Sequence, residues 1–103
     1  MSKYNSVISY VENVKFTSRK EANRYSGLLL LVRNGEIDDL KLQVKYPLVV
    51  NGIKICDYIA DFTYTDLRTM QTVVEDVKGM KTPVYRLKYK LMKACHGIDI
   101  LET

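Results

Sequence analysis

The chain has no apolar run longer than the five residues Leu28–Val32, far short of the roughly 20 that a membrane-spanning helix needs. Its opening, MSKYNS, is polar and does not read as a secretory signal, so a cytoplasmic protein with no membrane partner is expected. Cysteine is scarce: Cys56 and Cys95 are far apart, show no CxxC spacing and have only His96 to assist them. That argues against zinc and for two buried, reduced thiols, leaving oxygen ligands for any metal chemistry. There is no repeat, linker or low-complexity segment to divide 103 residues, which suit one domain. We read residues 1–16 as an N-terminal extension and 17–103 as the core.

Acid is missing from one long stretch. None lies between Val77 and Ile98, where Lys78, Lys81, Arg86, Lys88, Lys90 and Lys93 all fall. The net charge of +4 favours a polyanionic partner only weakly, and on charge alone such a run is a solvated helix face.

What is present is a readable order of elements. β-Branched and aromatic residues on both sides of Glu12-Asn13, over Ser6 to Phe16, suggest a short hairpin. Ser18-Arg-Lys-Glu21 fits a capping box and Asn34-Gly35 a stop, so a helix is predicted over about Ser18 to Arg33, with Ala22, Tyr25, Leu29 and Val32 inward. After the connection Glu36–Asp39, strands are predicted over Leu42 to Val50 and Ile53 to Thr65. They are joined at Asn51-Gly52, whose residues accept the positive φ of a type I′ turn. A third strand, Thr72 to Lys78, returns antiparallel after the short loop Asp66 to Met70. Thr82-Pro83 opens a second helix that Gly97 stops after His96, and Ile98 to Leu101 forms a last strand. The fold class is thus α/β: helix, three-strand antiparallel meander, helix, strand, in a mixed central sheet.

The stretch VVEDVKG, Val73 to Gly79, ends an apolar strand with two acids and a lysine. Alternation puts Asp76 and Lys78 on one face and Glu75 on the other. If the hairpin loop is Leu67 to Met70, Asp66 faces Gln71 and the register sets Asp61 opposite Asp76; a one-residue slip sets Asp61 against Glu75 instead. Directly opposed carboxylates repel at roughly 5 Å between Cβ atoms. Lys78 offsets part of that, and two close carboxylates are also what Mg²⁺ uses when it keeps several waters. Glu21 reads first as the capping partner of Ser18, yet it shares a helix stripe with Tyr25, Leu28 and Val32 and leans toward the sheet. On the second helix, Val84, Leu87, Leu91 and Cys95 define the expected buried stripe. Lys88 lies on that side, either snorkelling to water or set beside a phosphate, and Tyr85 and Tyr89 flank it, suited to a core margin or to contact with sugar or an exposed base.

Taken together, Asp61 in YIADF, Asp76-Val-Lys78 in VVEDVKG and Glu21 in SRKEANRY resemble the PD-(D/E)XK nuclease superfamily, whose core order is the one read above. With KYNS, NGEIDDLKLQ and VVEDVKGMKTPVYRLK added, the resemblance extends over nearly the whole chain to small phage-encoded endonucleases allied to Holliday-junction resolvases. One position departs: the proline expected before the first acid is Ala60. The resemblance implies that Asp61 and Asp76 ligate a metal, with Glu21 as an additional helix acid and Lys78 as the catalytic lysine. Gln43, in KLQV, matches a further position, to orient a ligand or water or to serve as a plain strand residue; Glu75 is a possible accessory acid.

The expected activity is hydrolysis of DNA phosphodiester bonds with Mg²⁺, or Mn²⁺ as a substitute, in the host cytosol if phage-encoded. Lys78 is expected to stay cationic between its carboxylates. Lys81, Tyr85, Arg86, Lys88, Lys90 and Lys93 are the expected DNA contacts. Nothing resembles a base-reading element, so selectivity for branched or junction DNA is expected over a recognition sequence, with a homodimer by analogy. The alternatives are a non-catalytic DNA-binding or assembly protein that keeps the fold, and an RNA-directed nuclease.

Overall fold

The computed structural model describes residues 9–11 and 14–103. It is an α/β structure of eight elements: β1 (Ser9–Val11), β2 (Val14–Phe16), α1 (Arg19–Arg33), β3 (Ile37–Val50), β4 (Ile53–Asp66), β5 (Gln71–Asp76), α2 (Pro83–His96) and β6 (Leu101–Glu102). β1 and β2 pair antiparallel, as expected of an N-terminal hairpin; Ser6 to Ile8 and Glu12-Asn13 lie outside the described residues. The main sheet runs β3-β4-β5-β6, antiparallel until β6 joins parallel to β5. It is therefore mixed. Among the described residues no helix is long and apolar enough to cross a membrane.

Local chemistry sets the boundaries. Ser18 caps α1 by accepting the Glu21 N–H at 3.0 Å, and Thr82 caps α2 by accepting the Tyr85 N–H at 3.1 Å, with Pro83 next. Gly97 ends α2 at φ 67°, a conformation that costs glycine nothing. Asn51 and Gly52 both have positive φ, 50° and 80°, as the β3–β4 turn requires.

The sheet is covered on both sides. Phe16, Ala22, Tyr25, Leu28, Ile37, Phe62 and Tyr64 form one core under α1, and Leu48, Tyr58, Ala60, Val74, Tyr85, Met92 and Ile100 form another under α2. On β5 the alternation is direct: Val73 packs with the first, Val74 with the second. β4 passes from one core to the other between Ala60 and Phe62. There β3 is irregular too, because Gln43 has φ 53° and pairing is made on either side of it, Leu42 with Phe62 and Val44 with Ala60.

Several expected boundaries and faces are corrected. β3 begins at Ile37 instead of Leu42, since Asp38 and Asp39 sit exposed at a register shift with Asp39 at φ 55°, where acids cost little. β5 stops at Asp76 instead of Lys78, because the Val77 N–H goes to a side chain rather than to the ladder. β6 is Leu101–Glu102, since Ile98 still bonds back to Met92 O and Ile100 is taken into the core. On α1, Leu28 is fully buried and Val32 exposed. On α2, Tyr85 and Met92 are buried, while Val84 and Leu87 face solvent. The two cysteines are free and only partly buried.

Candidate functional site

The loop Leu67–Met70 folds as expected, with Asp66 accepting the Arg68 N–H on its side chain and the Met70 N–H on its carbonyl. Asp66 then pairs with Gln71, and the ladder runs to Phe62 opposite Glu75. Counting one position past that last pair brings Asp61 opposite Asp76, and the Phe62–Glu75 pair excludes the one-residue slip.

Beyond the ladder the two acids are tied together. Asp61 Oδ2 accepts the Val77 N–H at 2.8 Å. Lys78 Nζ lies 3.1 Å from Asp76 Oδ1, and the Tyr58 hydroxyl donates to Asp76 Oδ2 at 2.5 Å. Lys78 also stands over the Tyr85 ring, 3.9 Å from its centre, a cation–π contact. Tyr85 is fixed in turn, since its hydroxyl donates to Glu102 Oε2 at 2.7 Å.

The electrostatics follow from that crowding. Asp61 is pushed up to about 7, first by burial and then by the neighbouring charges of Asp76 and Glu21, against the opposing hydrogen bond from Val77. Burial also raises Glu21, with Asp76 raising it further and Lys78 lowering it. Burial and the bond to Asp76 raise Tyr58, which therefore acts as a donor. Glu21, Asp61, Asp76 and Lys78 thus share one electrostatic environment where the start of α1 meets the end of β5. Lys20 Nζ closes that junction by donating to Lys78 O at 2.6 Å.

The cleft over Asp76 and Lys78 has a volume of about 280 Å³ and is also lined by Asp57, Tyr58, Thr82, Tyr85 and Lys88. Gln43 lines a second cleft with Glu21, about 300 Å³ in volume. No set of three or more His, Cys, Asp or Glu side chains among the described residues is arranged, as it stands, to hold a metal ion. Two carboxylates suffice for an ion that keeps its waters, and the repulsion between Asp61 and Asp76, which Lys78 offsets in part, is donor chemistry that would suit such a cation.

Other predicted residues fall elsewhere. Glu75, the possible accessory acid, is wholly buried on the α1 side, away from the cleft over Asp76 and Lys78. Arg24 grips it through two bonds of 2.6 and 2.9 Å, and Tyr64 and Thr103 donate to it as well. The basic helix is less free than its acid-poor sequence implies: Lys81 pairs with Glu102 at 2.9 Å and Lys93 with Asp99 at 2.9 Å. Arg86, Lys88 and Lys90 have no carboxylate partner among the described residues. Tyr85 is buried, a wall of the site rather than an outward contact.

Three residues were missed. Tyr58 and Glu102 carry no motif, though alternation from Asp76 could have pointed to a donor on β4. Asp57 lines the acid cleft and pairs through Oδ2 with Lys54 at 3.1 Å, while its buried Oδ1 has no hydrogen-bond partner.

A family described as Protein of unknown function (DUF1064) has a model that matches residues 1–97. The chain belongs to that family. No curated protein and no solved structure matches it. In this DUF1064 protein the matched span holds Glu21, Asp61, Asp76 and Lys78 and stops short of Glu102.

Proposed function

We propose that this protein is a metal-dependent endonuclease that hydrolyses DNA phosphodiester bonds, selective for branched or junction DNA, with a core of the PD-(D/E)XK type. The observation that carries this reading is the convergence of Asp61, Asp76 and Lys78 at the end of one hairpin. Asp61 and Asp76, with Glu21 beside them, would hold Mg²⁺ or Mn²⁺. When bound, the ion supplies Lewis acidity toward a phosphoryl oxygen and an attacking water.

The chain's own groups do the rest. Lys78, anchored through Asp76 and the Tyr85 face, presents a cation where charge grows on the phosphorane. Tyr58 fixes the orientation of Asp76. Lys88, half-buried at the cleft wall, is placed for a flanking phosphate, and Arg86 and Lys90 extend the positive surface along α2.

A second reading has one observation in its favour. Both oxygens of Asp76 already have partners, as suits a protein that keeps the fold for binding alone. One assay separates the two: branched, single-stranded and linear duplex DNA, and RNA, incubated with Mg²⁺, Mn²⁺ or EDTA. Metal-dependent DNA cleavage that disappears in Asp76→Asn and Lys78→Met, with DNA binding largely retained in Lys78→Met, is expected. Binding without cleavage under every condition establishes the second reading, and full activity in Lys78→Met refutes the site.

A further inference from the structure

α2 separates two clefts. One holds Asp76, Lys78 and Lys88. The other, about 540 Å³, is lined by Lys81, Tyr85, Arg86, Tyr89, Lys90 and Glu102, and Tyr85 is a wall of both. Neither Asp61 nor Asp76, the proposed metal pair, lines the second cleft. Its volume is within the roughly 300–1,000 Å³ of ligand pockets.

Its side chains are ordered by helical spacing. Tyr85 and Tyr89 are four residues apart, as are Arg86 and Lys90, so an aromatic row and a cationic row run side by side, each with a step of about 6 Å. The tyrosine rings meet at 64° rather than stacking, with centres 6.3 Å apart, so neither lies flat on the other. Arg86 and Lys90 are exposed, and Tyr89 is half-buried. Glu102 would repel a phosphate, but Tyr85 and Lys81 occupy its two oxygens at 2.7 and 2.9 Å. An aromatic platform beside unpaired cations suits a base with its backbone, because every base offers a face for stacking and every nucleotide an anionic phosphate.

We propose that this second cleft binds an unpaired nucleotide of a DNA strand, stacked on Tyr89 with its phosphates against Arg86 and Lys90, while the adjoining duplex presents its backbone to the acid cleft across Tyr85. The proposal rests on the nuclease reading for the second half of that sentence. It names the substrate class: duplex DNA bearing a single-stranded arm, whose unpaired bases alone can reach a stacking platform.

The test uses the full chain in EDTA, where binding is separate from cleavage. A forked duplex carries 2-aminopurine at the first unpaired position of its arm, and a blunt duplex of equal length carries a fluorescein for anisotropy. Binding is expected to quench the 2-aminopurine and to favour the fork over the blunt duplex by roughly tenfold. Tyr89→Phe keeps both effects. Tyr89→Leu loses quenching and the preference, with blunt-duplex affinity changed less than about twofold. Arg86→Glu/Lys90→Glu, at exposed positions that leave the core untouched, lowers fork affinity by at least the same factor. Undiminished quenching in Tyr89→Leu, or equal affinity for fork and blunt duplex in the unaltered protein, overturns the proposal, and tighter binding of an RNA arm overturns the deoxynucleotide assignment. Fork preference without cleavage in Mg²⁺ or Mn²⁺ refutes the nuclease and leaves the arm site standing; cleavage without fork preference does the reverse.

Discussion

Tyr58 and Asp76, eighteen positions apart in sequence, are joined by a 2.5 Å hydrogen bond beneath the acid cleft. Both are buried, and the phenol holds the carboxylate oxygen that Lys78 does not. Groups that orient a ligating side chain typically account for 10–100-fold in metal affinity. Tyr58→Phe keeps the ring and removes only the donor. The expected outcome is a Mg²⁺ requirement for cleavage raised by about 10-fold or more with the fold intact, checked by metal titration of activity beside a circular-dichroism melt.

Asp61 makes stability depend on pH in an unusual direction. Its carboxyl sits at about 7 in the fold against 3.8 ordinarily, and Glu21 is raised as well. Protonation therefore favours the folded state. This contribution is complete below about pH 4 and is lost as pH rises through about 7. In EDTA the melting temperature of the native protein, measured against Asp61→Asn, is expected to fall from pH 5 to pH 8. Added Mg²⁺ is expected to restore more at pH 8 than at pH 5, because it competes with the proton. Cleavage should rise over the same interval.

Glu75 offers the contrasting case of an acid next to Asp76 in sequence whose oxygens are held by Arg24, Tyr64 and Thr103. Arg24→Met leaves a fully buried carboxylate short of its main partner, and an unfolding free energy lower by about 3 kcal/mol is expected from denaturant melts. Arg24→Met/Glu75→Gln, which retains hydrogen-bonding capacity toward Tyr64 and Thr103, is expected to recover part of that loss. Both variants should keep the metal dependence of cleavage unchanged; a shift in it would return Glu75 to the site.

The ion pairs on and just before α2 predict which cations would govern DNA affinity. Replacing Arg86, Lys88 or Lys90 by Gln is expected to flatten the dependence of log affinity on log salt by up to about 0.9 per residue. Lys81→Gln and Lys93→Gln are expected to change it less, because Glu102 and Asp99 already hold those ammonium groups. Anisotropy titrations at several salt concentrations measure the slopes.

Much of this was written in local chemistry. Ser18, Asn51-Gly52, Thr82-Pro83 and Gly97 each satisfy a backbone need within a few residues of themselves, and each marks a boundary that the fold keeps. The Asp61–Asp76 register was legible for the same reason, since a short loop of known ends fixes the count. The face of α2 was not. Apolar residues stand at 84, 85, 87, 89, 91 and 92, nearly all round the helix, and the choice of Tyr85 and Met92 over Val84 and Leu87 depends on distant partners such as Glu102 and Lys78. The ion pairs of Lys81 and Lys93 were not legible either, because their acids, Glu102 and Asp99, come from the last strand and the segment before it. Tyr58 was invisible because a strand tyrosine is ordinarily core, and only coordinates reveal where its hydroxyl ends.

The residues that secure the site come late in the chain. Thr103 accepts the Lys78 N–H, donates its own N–H to Asp76 O, and reaches Glu75 through its hydroxyl, while Glu102 steadies Tyr85. Any change that displaces residues 101–103 would therefore loosen Asp76 and Lys78 together, so the last strand acts as a brace for the cleft.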